Sequence, residues 1–318
     1  MVKKTDLKKV ALIGTGFVGM SFAYALMNSG ECDQLVLIDI NKVKAHGEAM
    51  DMNHGLPFAK RNMLIFDGEY CDCCDADIVV IAAGVNQKEG EGRIALLHRN
   101  YEVFRSIIDP VIKSGFNGIF LVATNPVDIM TKITLELSNF NSSRVIGSGT
   151  TLDTARLRYL LGDYFSIDPR NVHAYVIGEH GDSEIVPWSQ AYVTTKSVFD
   201  IIDHSNGKFK IEDLNNISKN VTSAAQEIIR AKSATYYGIG MALVRIVRAI
   251  FGDEKSALTC SVLLNGQYGI NGVYAGLPAI IGRNGVEDII VLDLKEGEEK
   301  AFIKSCNFLK ETAKQIGF

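Results

Sequence analysis

Positive charge is in short supply in this sequence. Its 318 residues carry 33 Lys and Arg against 37 Asp and Glu, a net charge of −4. No basic field exists to gather nucleic acid or an anionic membrane surface, so neither is expected as a partner. Anionic ligands must be held by individually placed arginines and helix N-termini. Metal-ligand spacing is missing as well. Of the six cysteines, three crowd into YCDCCD (70–75), yet only Cys71 and Cys74 form a Cys-x2-Cys pair, and no second Cys or His pair follows. No metal site is expected, and the thiols read as reduced structural residues in a reducing cytoplasm. Repeats and low-complexity tracts are absent. The longest apolar run, Val10 to Met27, nears the ~18 residues of a membrane span and follows a basic start that imitates a secretion signal. Gly14, Gly16 and Gly19 interrupt it at fixed spacing, and another apolar segment follows at once. It reads as strand, turn and helix rather than an anchor.

What is present suits a globular protein: 47% hydrophobic and 22% charged residues, in a chain too long for one small core. Two domains are expected, residues 1–148 and 149–318. In the first, short Val/Ile/Leu-rich runs at 9–14, 34–40, 77–83 and 118–124 suggest strands covered on both faces. They alternate with helical segments at 17–29, 42–52, 94–113 and 127–137, which predicts a Rossmann-type, doubly wound parallel α/β sheet. In the second, a helix at 152–161 leads to strand-like 174–178 and 191–195. Two or three helices follow between 211 and 251. Runs at 257–266, 272–282 and 286–294 resemble an antiparallel meander with glycine turns, and a helix at 298–316 closes the chain. This half reads as an α+β substrate domain with antiparallel strands.

The run Gly14-Thr-Gly16-Phe-Val18-Gly19 lies between a predicted strand and a predicted helix, the context that gives G-x-G-x-x-G its meaning. Gly14 allows a tight turn, Gly16 lets backbone approach a pyrophosphate, and Gly19 lets the helix pack close on the strand. The helix N-terminus supplies N–H groups for phosphate. Asp39 follows Gly19 by 20 residues, at the end of the second strand. A carboxylate there accepts ribose hydroxyls and repels a 2′-phosphate, which favours NAD over NADP.

Three segments carry the remaining chemistry: TNPVD (124–128), TTLDTARLR (150–158) and GEHGDSE (178–184). Asp153 and Arg156 stand three apart on a helix and share a face. Hydride transfer to a ketone also requires a proton, which His180 is suited to supply, with Asp153 to fix its tautomer. Arg156 can hold a 2-oxo acid carboxylate through two parallel bonds. On the residues alone, His180 reads equally well as a structural histidine.

GTGFVG, ATNPVD, IGSGTTLDTARLR, IGEHGDSE and ATYYGIG together resemble the NAD-dependent L-lactate/malate dehydrogenase family, and within it the bacterial L-lactate dehydrogenases. The resemblance covers essentially the whole chain. It implies reversible reduction of pyruvate to L-lactate by NADH, with malate or broader L-2-hydroxyacid dehydrogenation as the alternative within the family. It also implies a cytoplasmic homotetramer in fermentative glycolysis. Residue by residue, it makes His180 the proton donor and acceptor, Asp153 its partner, and Arg156 the carboxylate clamp. Asn125 binds substrate and nicotinamide, Gly84 lines the cofactor site with Val18, and Thr235 lines the substrate pocket.

The stretch AAGVNQKEGEGRIALL (82–97) matches the family's mobile lid. There the resemblance makes Arg93 the residue that polarises the carbonyl on closure, which works only with water excluded. Glycines at 84, 90 and 92 suit a loop that swings. Gln87 stands at the family's specificity position, where malate enzymes carry Arg. A neutral Gln suits a methyl group, and burying a second carboxylate without a cation is costly. Glu89 and Glu91 add further negative charge. The chain departs from the family here: Glu89 replaces Pro, Gly92 replaces Thr or Ser, and Ala95 replaces Asp. Losing Pro and gaining Gly widens the open ensemble, so costlier lid ordering is expected. Finally, Arg158 lies about 200° around the helix from Arg156 and cannot serve the same pocket. Arg158 and His173 match the positions that bind fructose 1,6-bisphosphate across a subunit interface in the family's allosteric members.

Overall fold

The computed structural model describes residues 7–85 and 93–318. The chain begins with β1 (Lys9–Ile13), every residue of which is buried, followed by α1 (Phe17–Ser29), β2 (Gln34–Ile38) and α2 (Lys42–Gly55). Then come β3 (Leu64–Asp67), β4 (Ile78–Ile81), α3 (Arg93–Lys113), β5 (Ile119–Val122), α4 (Val127–Ser138) and β6 (Val145–Gly147). These six strands pair in the order β3-β2-β1-β4-β5-β6, all parallel. This is the doubly wound order, with its reversal between β1 and β4, where a crevice opens beyond the carboxyl ends. The purely apolar runs in β1, β4 and β5 are explained by helices on both faces.

The second half starts with α5 (Thr151–Phe165), then β7 (Val172–His173), β8 (Tyr192–Val193), β9 (Lys196–Ser197) and α6 (Val198–Asp203). Two long helices follow, α7 (Ile211–Lys232) and α8 (Tyr237–Gly252). Next is the meander β10 (Ser256–Asn265), β11 (Asn271–Gly282) and β12 (Gly285–Ile289), and α9 (Glu296–Lys314) ends the chain. The meander is antiparallel as expected but is not separate. Ser261 on β10 pairs with Gly147 on β6, so nine strands form one continuous sheet. Among the described residues, β7-β8-β9 stand apart as a small antiparallel sheet. The strand-like run at 174–178 contributes only isolated bridges, Ile177 to Ile185 and Gly178 to Gly276.

The main core spans both halves, from Phe22 and Phe104 to Phe302. A second cluster packs α5 (Leu157, Leu161) against α7 (Leu214, Ile217, Val221), whose buried positions follow helical spacing. Among the described residues, no helix is long and apolar enough to cross a membrane.

Candidate active site

The glycine loop leaves β1 with Gly14 at φ 102°, a left-handed turn where a Cβ would lie 2.5 Å from the backbone nitrogen of Ala83. At Gly19 a Cβ would lie 1.9 Å from the carbonyl oxygen of Gly14, so helix and turn are in backbone contact. Gly16 is different, because a Cβ there would meet nothing within 4 Å. It is the N-cap of α1, without a side-chain cap, so the helix presents its first-turn N–H groups to open space. That open cradle fits a pyrophosphate. Val18, in the same turn, faces the core.

Asp39 follows β2 and ties the cradle together. Its carboxylate accepts the Thr15 N–H at 2.7 Å, the Thr15 hydroxyl at 2.9 Å and the Asn41 N–H at 2.9 Å. Burial works against ionisation, but these donors hold its pKa below the usual carboxylate value. Thr15 was not singled out in the sequence, and its role follows from this contact across the loop. Gly84, after β4, packs against Thr124, where a Cβ would approach the side chain to 2.6 Å. Asn125 is exposed at the entrance to α4, and its carbonyl accepts from Asn100 Nδ2 at 3.4 Å.

Beyond the end of β6, the first turn of α5 presents Asp153, only 1% exposed. One of its oxygens accepts from Arg156 Nη1 at 2.6 Å, and the other meets His180 Nδ1 at 2.6 Å. Burial depresses the basicity of His180, but Asp153 outweighs it and raises the pKa to about 9. Asp153 is likewise pulled down against its burial, chiefly by His180. The Asp153 carboxylate therefore favours the imidazolium, and among the described residues no hydrogen bond engages Nε2.

The backbone N–H of His180 donates to Asp128 Oδ2 at 2.9 Å, and Ser261 donates to the other oxygen at 2.5 Å. Asp128 is fully enclosed, and desolvation pushes its pKa to about 6. It fixes the backbone of the His180 loop to α4. It ends the TNPVD segment, and the fold brings it to residue 180, 52 positions away.

Asn125, Asp153, Arg156 and His180 line one cavity of about 360 Å³, with Thr222 and Gln226 of α7 also in its wall. Thr235 lies in the connection between α7 and α8, outside that lining. Gln87, Glu89, Gly90, Glu91 and Gly92 fall outside the described residues. Arg93 opens α3, but its side chain lies outside them too. Ala95 is exposed on α3. Arg158 points away from the cavity: its Nε donates to the Ala174 carbonyl at 3.2 Å, and its guanidinium lies 5.5 Å over the Tyr175 ring. His173 is exposed on β7. The six cysteines are unbridged, with Cys71 and Cys74 exposed and Cys32, Cys73, Cys260 and Cys306 buried.

A dinucleotide cradle and a buried histidine–carboxylate pair, both at the carboxyl edge of one doubly wound sheet, define a nicotinamide-dependent dehydrogenase. Comparison with known proteins narrows that class. Residues 8–147 match the profile of the lactate/malate dehydrogenase NAD binding domain, and residues 150–317 match that of the family's alpha/beta C-terminal domain. The chain belongs to the lactate/malate dehydrogenase family, and its cofactor is NAD. It is 54% identical to the L-lactate dehydrogenase of Geobacillus sp. (strain WCH70), over 98% of this chain and 97% of that protein. A lactate dehydrogenase from a Medee basin deep-sea metagenome library superimposes with a TM-score of 0.97 at 53% identity, covering 99% of this chain and all of the other. The ligand-bound minor L-lactate dehydrogenase of Enterococcus mundtii gives 0.96 at 44% identity, covering 98% and 99%.

Proposed function

We propose that this protein is an L-lactate dehydrogenase that reduces pyruvate to L-lactate in the cytoplasm. The observation that carries the reading is the shared carboxylate of Asp153, which holds His180 on one oxygen and Arg156 on the other. One acid thereby aligns a proton donor and a carboxylate clamp on the same wall of the cavity. The division into a cofactor domain, 1–148, and a substrate domain, 149–318, is part of this reading.

Arg156 holds the 2-oxo acid carboxylate in plane. His180 Nε2 passes its proton to the ketone oxygen as the carbonyl is reduced, and Asp153 stabilises the imidazolium until then. In the reverse direction the neutral imidazole takes the proton back. Asn125 orients the carbonyl, and Thr235 borders the pocket when the site closes. Gly14, Gly16, Val18, Gly19, Asp39 and Gly84 hold the dinucleotide, which supplies the hydride when bound. Gln87 selects a methyl over a carboxylate, and Arg93 stabilises oxyanion charge in the closed site. Arg158 and His173 form half of a fructose 1,6-bisphosphate site completed by a neighbouring subunit of a homotetramer.

NADH oxidation followed at 340 nm tests this reading, with pyruvate and then oxaloacetate, each with and without fructose 1,6-bisphosphate. Strong preference for pyruvate, rising with the bisphosphate, is expected. Preference for oxaloacetate would make the protein a malate or broader 2-hydroxyacid dehydrogenase. An unchanged rate with bisphosphate would remove the regulatory site.

A further inference from the structure

Two acidic side chains in the cavity, Asp182 and Glu184, have no part in the chemistry above, and of these Asp182 is exposed. Glu184 enters from the His180 loop, and its Oε1 accepts from Thr222 Oγ1 on α7 at 2.9 Å. One polar atom each from Glu184, Asp153 and His180 lies within 4.8 Å of the other two. Two carboxyl groups so close, with a single imidazole between them, do not both ionise freely.

The charges around the cavity decide what it accepts. Asp153 and Arg156 face Glu184 from α5. His180 and Asp182 face it from its own loop, and Thr222 and Gln226 from α7. Asp182 is exposed and screened by water, and Asp128 lies behind the cavity on α4, tied to Ser261 and to the His180 backbone. Protonated His180 and Arg156 attract a carboxylate ligand, and ionised Asp153 opposes it. Ionisation of Glu184 places a second negative charge beside that ligand, where burying like charges together is costly.

We propose that Glu184 is the charge gate of the substrate pocket: as the neutral acid it admits a monocarboxylate, as the carboxylate it repels one, so its ionisation weakens substrate binding on the alkaline side. The inference rests on the reading of the cavity as a 2-oxo acid site. Glu184 belongs to a bonded, enclosed geometry, and its titration is consistent with that. Desolvation first and Asp153 second raise its pKa to about 8, while Thr222, His180 and Arg156 pull the other way.

The test is the pH profile of pyruvate KM and kcat for wild type, Glu184→Gln and Thr222→Val, with melting temperature measured on the same samples. Wild-type KM should begin to rise near pH 8. In Glu184→Gln the rise should move to higher pH, so that near pH 9 its KM lies several-fold below that of wild type. Thr222→Val removes a donor that favours the carboxylate, so its rise should also move upward although Glu184 is retained. Melting reports the same proton without substrate. The unfolded chain releases it near 4.5 and the folded chain near 8, so wild-type stability should fall relative to Glu184→Gln across that window and run parallel above it. Superimposable KM profiles for wild type and Glu184→Gln overturn the gate, as does a loss of KM that is equal at every pH in both variants. If wild type reduces no 2-oxo acid at pH 6, the reading of the cavity fails and the gate with it. The melting curves separate that failure from an error about the Glu184 proton.

Discussion

Asp153 holds two cations with one carboxylate, and that double duty makes it the most sensitive residue in the cavity. Asn at this position keeps the shape but removes the charge and offers Nδ1 a donor instead of an acceptor. General acid–base catalysis by a positioned side chain contributes about 10²–10⁴-fold, so Asp153→Asn should lower kcat/KM for pyruvate by at least about 10²-fold. Removing one partner of a buried pair also costs about 3 kcal/mol of stability. The pH dependence has a definite sign. His180 is raised above the ordinary 6.5 to about 9, so its share of stability is full below pH 6.5 and is lost as pH climbs through 9. Asp153 is lowered, so its share is present above the usual carboxylate range and is lost on acidification. The stability gap between wild type and variant should therefore be widest between these limits, narrowing on either side. Melting temperature against pH checks this, and a pH-independent gap would remove the pair from the account.

At the scale of the element, the turn into α1 separates two kinds of glycine that look alike in the sequence. Gly16 faces open space, and Gly19 touches the carbonyl of Gly14. Gly16→Ala should fold with an unchanged melting temperature yet weaken NADH binding at least about tenfold, because the methyl stands where the pyrophosphate approaches. Gly19→Ala should instead destabilise the protein by about 1–3 kcal/mol, through overpacking against the turn. Melting curves and NADH fluorescence titration distinguish the two, and equal effects on both readouts would refute the assignment. The same turn shows what a sequence can reveal. The G-x-G-x-x-G spacing between an apolar strand and a helix is a local signal, and so is the Asp153–Arg156 spacing on α5. β3 escaped because Leu64 is exposed and the strand is four residues long, and β6 because three residues carry no period. The joining of the meander to the parallel sheet rests on Ser261 meeting Gly147, a contact no local pattern encodes. Asp128, Thr15 and Glu184 escaped for the same reason, since each acts on a partner distant in the chain.

The whole molecule presents a face that one copy of the chain leaves uncovered. Ile40 is fully exposed, Val43 84% and Phe17 71%, and Tyr24, Tyr237 and Met241 are each more than half exposed. Of these, Phe17, Tyr24, Tyr237 and Met241 border a groove of about 850 Å³ between α1, α2 and α8, edged by Lys44, Glu48 and Arg248. An apolar strip with a charged rim has the composition of a permanent interface rather than of a solvated surface. If the proposed homotetramer buries this face as a subunit contact, light scattering should return four times the 34.8 kDa chain mass. Met241→Glu places a carboxylate on the strip at a position where the single chain has room for it, so the fold should survive while the mass drops. Because the strip begins at Phe17, next to the Gly16 cradle, dissociation should also weaken NADH binding and lower the melting temperature at high dilution. A wild type of single-chain mass would show that the face serves something other than self-assembly. A Met241→Glu variant that stayed tetrameric would move the contact to another surface of the chain.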